Sequence, residues 1–298
     1  MKKKWRELPM AVGMLAPSAV ILGLFVVYPL VRAIQLGHLR CDATGKRCRD
    51  GGWGQYIDVF RSNEFQHALA NTARLALMTV PIGLALGVGL AVLADKQIRG
   101  IGFFRTVFSS TVATSVAVAS LIWFVLLQPE IGVLPNLFHG IIPSLKQPGL
   151  LRDPATALPA VALSSIWASL GFTFIVITAA LQGIPRELYE SAYVDGAGGW
   201  MRFSNVTLPM LGPTILFTSV VLTTRAFQSY AEVALLTGGG PDPQRPTQTL
   251  PYLIYGQNSL VKNDIGLKSA AAVLLFFVLL VLAFVQFRGL DKRVHYGN

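Results

Sequence analysis

Charged positions are absent from six long stretches of the chain, and apolar residues dominate each of them. They cover residues 8–31, 75–94, 106–129, 154–185, 203–224 and 269–287, every one bounded by Asp, Glu, Lys or Arg. A helix needs about 20 mainly apolar residues to cross about 30 Å of hydrocarbon. In lipid the backbone must also satisfy its own hydrogen bonds, which a helix does. The next uncharged stretch, 246–261, reads PTQTLPYLIYGQNSLV and is too short and too polar to span. Buried core helices of a soluble protein run about 10–14 residues and do not come six at a time at spanning length. The pattern therefore predicts an all-α membrane protein with six transmembrane helices.

The plan along the chain follows from these windows. A helix near 10–36 leads to an outer loop reaching about 66, then a helix near 67–94 and a tight inner turn at 95–105. A third helix runs to about Gln128, a proline-rich outer segment follows, and a fourth helix covers about 156–181. An inner segment, 182–208, precedes a fifth helix that starts at Pro209, a residue suited to a first turn. The sixth helix ends near Phe287. In domain terms this is a tail (1–9), a six-span domain (10–290) and a second tail (291–298).

Composition agrees: 53% of residues are hydrophobic and 13% charged, about half the charge of a soluble domain. Lys2, Lys3 and Lys4 precede the first window as in a secretory signal, but the apolar run from Met10 to Val31 is longer than the roughly 7–15 residues of a signal core. No small-residue cleavage pattern follows, so the helix is read as retained. With the amino terminus inside, the inner segments hold Lys2, Lys3, Lys4, Arg6, Lys96, Arg99, Arg105, Arg186, Arg202, Arg288, Lys292 and Arg293, 12 of the 25 basic residues. That tally is nearly even, and Arg40, Lys46, Arg47 and Arg49 in the first outer loop oppose it. An even span count places both termini on one side, here the cytoplasmic side. The net charge of +10 is spread over every loop, which argues for contact with anionic lipid headgroups and against a nucleic-acid surface.

Chemistry is sparse. None of the six windows holds a histidine, and ion-driven carriers place ionisable groups at membrane depth, so coupling to protons or sodium is disfavoured. No phosphate loop, nucleophile elbow or zinc-helix motif occurs, so the chain binds no ATP by that route and carries no recognisable catalytic set. Cys41 and Cys48, the two cysteines, share the first outer loop; a disulfide and two separate thiols are both open. No metal site is expected, since no further Cys or His completes a tetrahedral set.

The inner segment is the informative one. Residues 184–213 read IPRELYESAYVDGAGGWMRFSNVTLPMLGP. Pro185 opens a short helix, Glu187 and Glu190 sit in its early turns where the dipole favours anions, and Gly196, Gly198 and Gly199 end it. This predicts an amphipathic helix on the inner surface, a turn, and re-entry at Leu208–Pro209. Taken alone it fits a helix resting on headgroups equally well.

The same residues resemble the EAA loop of ABC importer permeases, E-A-A-x-x-D-G-A followed by I-x-L-P. Glu190, Ser191, Ala192, Asp195, Gly196 and Ala197 take the motif positions, with Val206, Leu208 and Pro209 after them. Ser191 stands for the first alanine and Val206 for isoleucine, both conservative changes. Asn71-Thr72, LLTGGGP at 235–241 and the final segment 269–296 are similar to the carbohydrate-uptake branch of that family. The tail is most similar to the first permease of glycerol-3-phosphate importers. The resemblance implies an ABC importer permease (MetI-like) fold with a cytoplasmic coupling helix, around Tyr193, between spans 4 and 5. It implies as partners a second permease, two ATP-binding subunits that bind the ATP and Mg this chain does not, and an extracytoplasmic solute-binding protein, in a bacterial inner membrane.

For the solute path, Arg225 is the one charge between Arg202 and Glu232, with Thr224 before it and Gln228 after. An arginine there steers an anionic phosphate or snorkels to the headgroups. Thr224, Gln228 and Asn71 are candidate hydrogen-bonding groups or helix-to-helix glue. Two other function classes stay open at this point: a stand-alone secondary carrier or channel, which would act without ATPase partners, and a membrane enzyme, which would turn over alone.

Overall fold

The computed structural model describes residues 2–41, 48–96, 99–139, 149–256 and 264–291; the tail beyond Asp291 lies outside them. The long helices are α1 (Lys2–Leu22) continuing through a π turn into α2 (Tyr28–Leu36), α4 (Asn63–Ala94), α8 (Ala157–Gln182) and α15 (Ile265–Asp291). Among the described residues four unbroken apolar segments, Val12–Leu36, Asn63–Ala94, Ala157–Gln182 and Ile265–Arg288, are long enough to cross a membrane. Two bent pairs bring the number of spans to six if each pair crosses once.

Those two pairs depart from the straight helices expected at 106–129 and 203–224. In the first, α5 (Ile101–Ser110) tightens into a 3₁₀ turn at Thr111–Ala113, and α6 (Val116–Leu127) leaves at 106°. The break falls in a run of hydroxyl residues: Ser110 Oγ donates to the Val107 carbonyl and Thr111 Oγ1 to that of Phe108, local bonds that compete with the helix ladder. Thr114 and Ser115 are then extended.

In the second pair, the helix begins well before Pro209. It runs through α10 (Gly199–Arg202), a π turn and α11 (Leu208–Met210), then bends by 67° into α12 (Gly212–Phe227). Pro213 follows Gly212 at the bend, and proline both lacks an N–H and crowds the preceding turn. A shared device appears at the other proline: the π turns Gly23–Val27 and Phe203–Thr207 each end two residues before a proline, Pro29 and Pro209. The wider i→i+5 turn, seen as Tyr28 N–H to Gly23 O and Leu208 N–H to Phe203 O, makes room for a ring that would strike the normal i−4 carbonyl.

The axis of the bundle is the pair α4 and α8. Small residues on α4, Gly83, Gly87, Ala91 and Ala94, are buried at helical spacing, the arrangement that lets membrane helices approach closely. A Cβ at Gly87 would lie 2.2 Å from Thr173 Cγ2. Near one end Leu75 packs with Leu158 and Val161, and near the other Val88, Ala91 and Ala94 pack with Phe174, Ile177 and Leu181. The two helices are therefore parallel.

At the start of α4 sits a small capping layer. Strands β1 (Leu39–Cys41) and β2 (Cys48–Asp50) pair antiparallel, and Cys41 is bonded to Cys48 across them. Helix α3 (Gly54–Arg61) buries Tyr56 and Val59 against the first turns of α4 and α15 and against α14 (Leu250–Tyr255). Ser62 caps α4 through the Phe65 N–H, and Asp264 caps α15 through the N–H groups of Gly266 and Leu267. At the far end of α4, Arg105 closes the turn by donating from Nε and a terminal nitrogen to the Ala94 carbonyl. The hairpin and this turn lie at opposite ends of the bundle.

The layer depends on one close approach. A Cβ at Gly266 would fall 1.6 Å from the Leu39 carbonyl oxygen, whereas one at Gly89 would meet nothing within 4 Å. Gly266→Val is expected to lower unfolding stability in detergent by at least about 1–3 kcal/mol, and Gly89→Val by no more than about 0.5 kcal/mol. Thermal unfolding of the two purified variants checks both.

Candidate functional site

Helix α9 (Arg186–Val194) projects from the end of α8, at the bundle end opposite the disulfide hairpin. Its root is firm. Ile184 is buried with Leu181 and Leu211, Tyr189 packs on the same cluster, and the Tyr189 and Thr207 hydroxyls lie 3.1 Å apart. Its tip is bare: Tyr193 is 71% and Val194 84% exposed, and Trp200 after the turn is 78% exposed. Glu190, Ser191, Asp195 and Gly196 are exposed, while Ala192 and Ala197 are half-buried. Bulky apolar side chains therefore face outward at this bundle end, with exposed Glu187, Glu190 and Asp195 beside them.

The Asp-Gly-Ala part of the segment is its C-cap. Ala197 N–H bonds to the Ala192 carbonyl and Gly196 N–H to that of Tyr193, the paired 6→1 and 5→2 bonds of a Schellman turn. Gly196 has φ +76°, a left-handed conformation that costs other residues about 1–2 kcal/mol. The chain then reverses into α10, where Arg202 lies over the Tyr193 ring at 5.9 Å and Trp200 packs beside Phe203. Leu208 and Pro209 re-enter the bundle beyond the π turn.

The second feature is a cleft of about 560 Å³ between α4, α8, α12 and the broken α5–α6 segment. Its walls include Thr79, Thr114, Ser169, Phe172, Arg225 and Glu232, and Gln228, Ser229 and Tyr230 line it where α12 ends. The Arg225 guanidinium sits over the Phe172 ring, 4.5 Å from its centroid. Ser229 Oγ donates to Glu232 Oε2 at 3.0 Å. Irregular backbone at membrane depth persists where it lines a cavity, and Val112, Thr114 and Val116 of the break do so.

Arg225 and Gln228 are thus brought together, but two sequence candidates are not with them. Thr224 gives its hydroxyl to the Val220 carbonyl and is not part of the wall. Asn71 is 1% exposed, with Nδ2 bonded to the carbonyls of Arg245 and Gln248. Beside it Thr72 Oγ1 accepts from the Leu250 N–H. Asn71 and Thr72 pin the 245–250 loop to α4, at the hairpin end. Thr79, Thr114, Ser169 and Phe172 escaped the sequence reading because isolated hydroxyls and a single phenylalanine in apolar windows carry no spacing signal, and Glu232 entered it only as the charge that bounds the stretch around Arg225. Among the described residues no group of three or more His, Cys, Asp or Glu could hold a metal ion.

Comparison with known proteins places this geometry. A family model described as binding-protein-dependent transport system inner membrane component matches residues 80–296. The sn-glycerol-3-phosphate transport system permease protein UgpA of Agrobacterium fabrum is 31% identical, over 95% of both chains. The sulfoquinovosyl glycerol transport system permease protein SmoG of the same organism is 34% identical, over 96% of this chain and 92% of that one. In fold, a chain of a bacterial ABC transporter involved in the import of the acidic polysaccharide alginate superposes with TM-score 0.79 at 24% identity, covering 98% of each.

The cap of α9 gives a direct test of its geometry. Gly196→Ala is expected to speed amide exchange across 186–197 by about 5–30-fold, the equivalent of about 1–2 kcal/mol. Gly198→Ala, at an open position with ordinary φ, is expected to leave exchange unchanged. Hydrogen–deuterium exchange in nanodiscs reads both.

Proposed function

The chain belongs to the family of binding-protein-dependent transport system inner membrane components, the non-catalytic permease subunits of ABC importers, and we propose on that premise how its parts divide the work. With a second permease it forms the path for a polar, carbohydrate-like solute. Two ATP-binding subunits hold the ATP and Mg and dock on α9, and an extracytoplasmic binding protein delivers the solute. The relatives named for sn-glycerol 3-phosphate and sulfoquinovosyl glycerol support a small glycerol- or sugar-based solute, and the hydroxyl-lined cleft is suited to carry one.

One observation carries the docking reading: an apolar, exposed helix tip, Tyr193 and Val194 with Trp200 beside it, anchored at its root to both α8 and the α10–α11 segment. A push on that tip is delivered to two spans at once. Glu190, Ser191 and Ala192 face outward or half outward along it, small or charged groups that suit close approach and pairing with a basic residue. Asp195, Gly196 and Ala197 hold its end in shape, and Leu208–Pro209 return the chain to the bundle.

Orientation is supported by the bonded Cys41–Cys48 hairpin. Disulfides persist on the oxidising side of a bacterial inner membrane, and α9 stands at the other end of α4 and α8. On this reading α9 faces the cytoplasm with the nucleotide, and both termini share that side. A stand-alone carrier is disfavoured by the cleft itself, whose titratable groups among the described residues are one cation, Arg225, and one anion, Glu232, besides Tyr230.

Glu190→Lys and Gly196→Pro are each expected to abolish solute-stimulated ATP hydrolysis by the assembled importer in proteoliposomes, while the chain still inserts. Normal uptake by either variant would remove α9 from the coupling role.

A further inference from the structure

The cleft holds one charge of each sign, and the two are kept apart in kind. The Arg225 guanidinium rests on the Phe172 ring and makes no ion pair among the described residues. A guanidinium lying on an aromatic face directs its N–H fork sideways, the geometry that grips an oxyanion through two bonds. Arg225 is exposed in the cleft, so an anion arriving there reaches the guanidinium directly. Glu232 is different: it already accepts from Ser229 Oγ, remains an acceptor for further hydroxyls, and repels a second negative group.

From this geometry we infer that the cleft selects a solute with one oxyanion, such as a phosphate, sulfonate or carboxylate, at one end and hydroxyls at the other. The oxyanion lies on Arg225, and the hydroxyl end lies toward Glu232 and Ser229, with Thr79, Thr114 and Ser169 as neutral partners. Arg225 sets charge selectivity, and Glu232 sets the direction in which the solute lies. The inference rests on the cleft being the solute path but concerns which solute that path accepts.

The test is equilibrium binding of radiolabelled sn-glycerol 3-phosphate to the assembled permeases in nanodiscs, without nucleotide, competed by glycerol or by ethyl phosphate. Saturable binding that resists a 100-fold excess of glycerol, about that excess being needed to expose a neutral competitor, is expected. Arg225→Gln should weaken it at least about tenfold, and Arg225→Lys, which keeps the charge but not the fork, by less. Glu232→Gln should narrow the advantage of sn-glycerol 3-phosphate over ethyl phosphate, which lacks hydroxyls. Absence of saturable binding, equal competition by glycerol, or unchanged affinity in Arg225→Gln would each overturn the inference. Failure of the path is seen separately: Arg225→Gln that loses binding yet keeps full ATP-driven uptake means that the anion site is real and the solute travels elsewhere.

Discussion

The parallel packing of α4 on α8 is the constraint from which the rest follows. It works because α4 presents glycine and alanine where α8 presents Thr173 and its neighbours, so that backbones meet with no intervening bulk. Van der Waals contact of this kind substitutes in a membrane for the hydrophobic drive that lipid cannot supply. The pair fixes two ends. At one, α3, α14 and the bonded hairpin close over the helix starts; at the other, α8 hands the chain straight to α9. On the docking proposed for α9, its packing against α8 is the route by which a force at Tyr193 would reach Ser169 and Phe172, on the wall of the cleft.

Around this pair the other elements are deliberately irregular. The segment Thr111–Ser115 leaves the helical ladder beside Gly171, whose Cβ would lie 2.2 Å from Thr111 Oγ1 and 2.8 Å from the Val112 nitrogen. The glycine lets the broken span settle onto α8, and the break supplies part of the cleft. On the other side α12 ends at Phe227 and the chain turns through Gln228–Tyr230 into α13 (Ala231–Leu236). A closed bundle of straight helices would have no such space. Unlike either, the first span has no buried residue in its apolar window, consistent with a place at the margin of the bundle.

How much of this is legible in the sequence depends on whether a feature leaves a periodic or local trace. Uninterrupted charge-free windows marked every span, because excluding charge over about 20 residues has one dominant physical cause. The end of α9 was legible for a different reason: only glycine takes φ +76° cheaply, so Gly196 announces a cap. The bends were not. The break at Thr111–Ser115 arises from hydroxyls turned back on their own helix and from a glycine on another span, a long-range match that composition hides. Pro209 pointed to a helix start, yet a π turn accommodates it within a helix that begins at Gly199. Asn71 was legible as a polar group in an apolar span but not as a loop anchor, since its partners, Arg245 and Gln248, are distant in sequence. Glu232 in turn gains its meaning from the cleft that the fold builds around it.

The division between a passive path and a driven helix is most directly tested by the accessibility of a single position. With Tyr193→Cys as the one free thiol and Cys41–Cys48 left bonded, sealed membranes are treated with an impermeant maleimide from either face, with and without the ATP-binding subunits. Labelling from the cytoplasmic face alone, suppressed when those subunits are present, is the expected result. Labelling from the outer face, or labelling that the subunits do not alter, would contradict it.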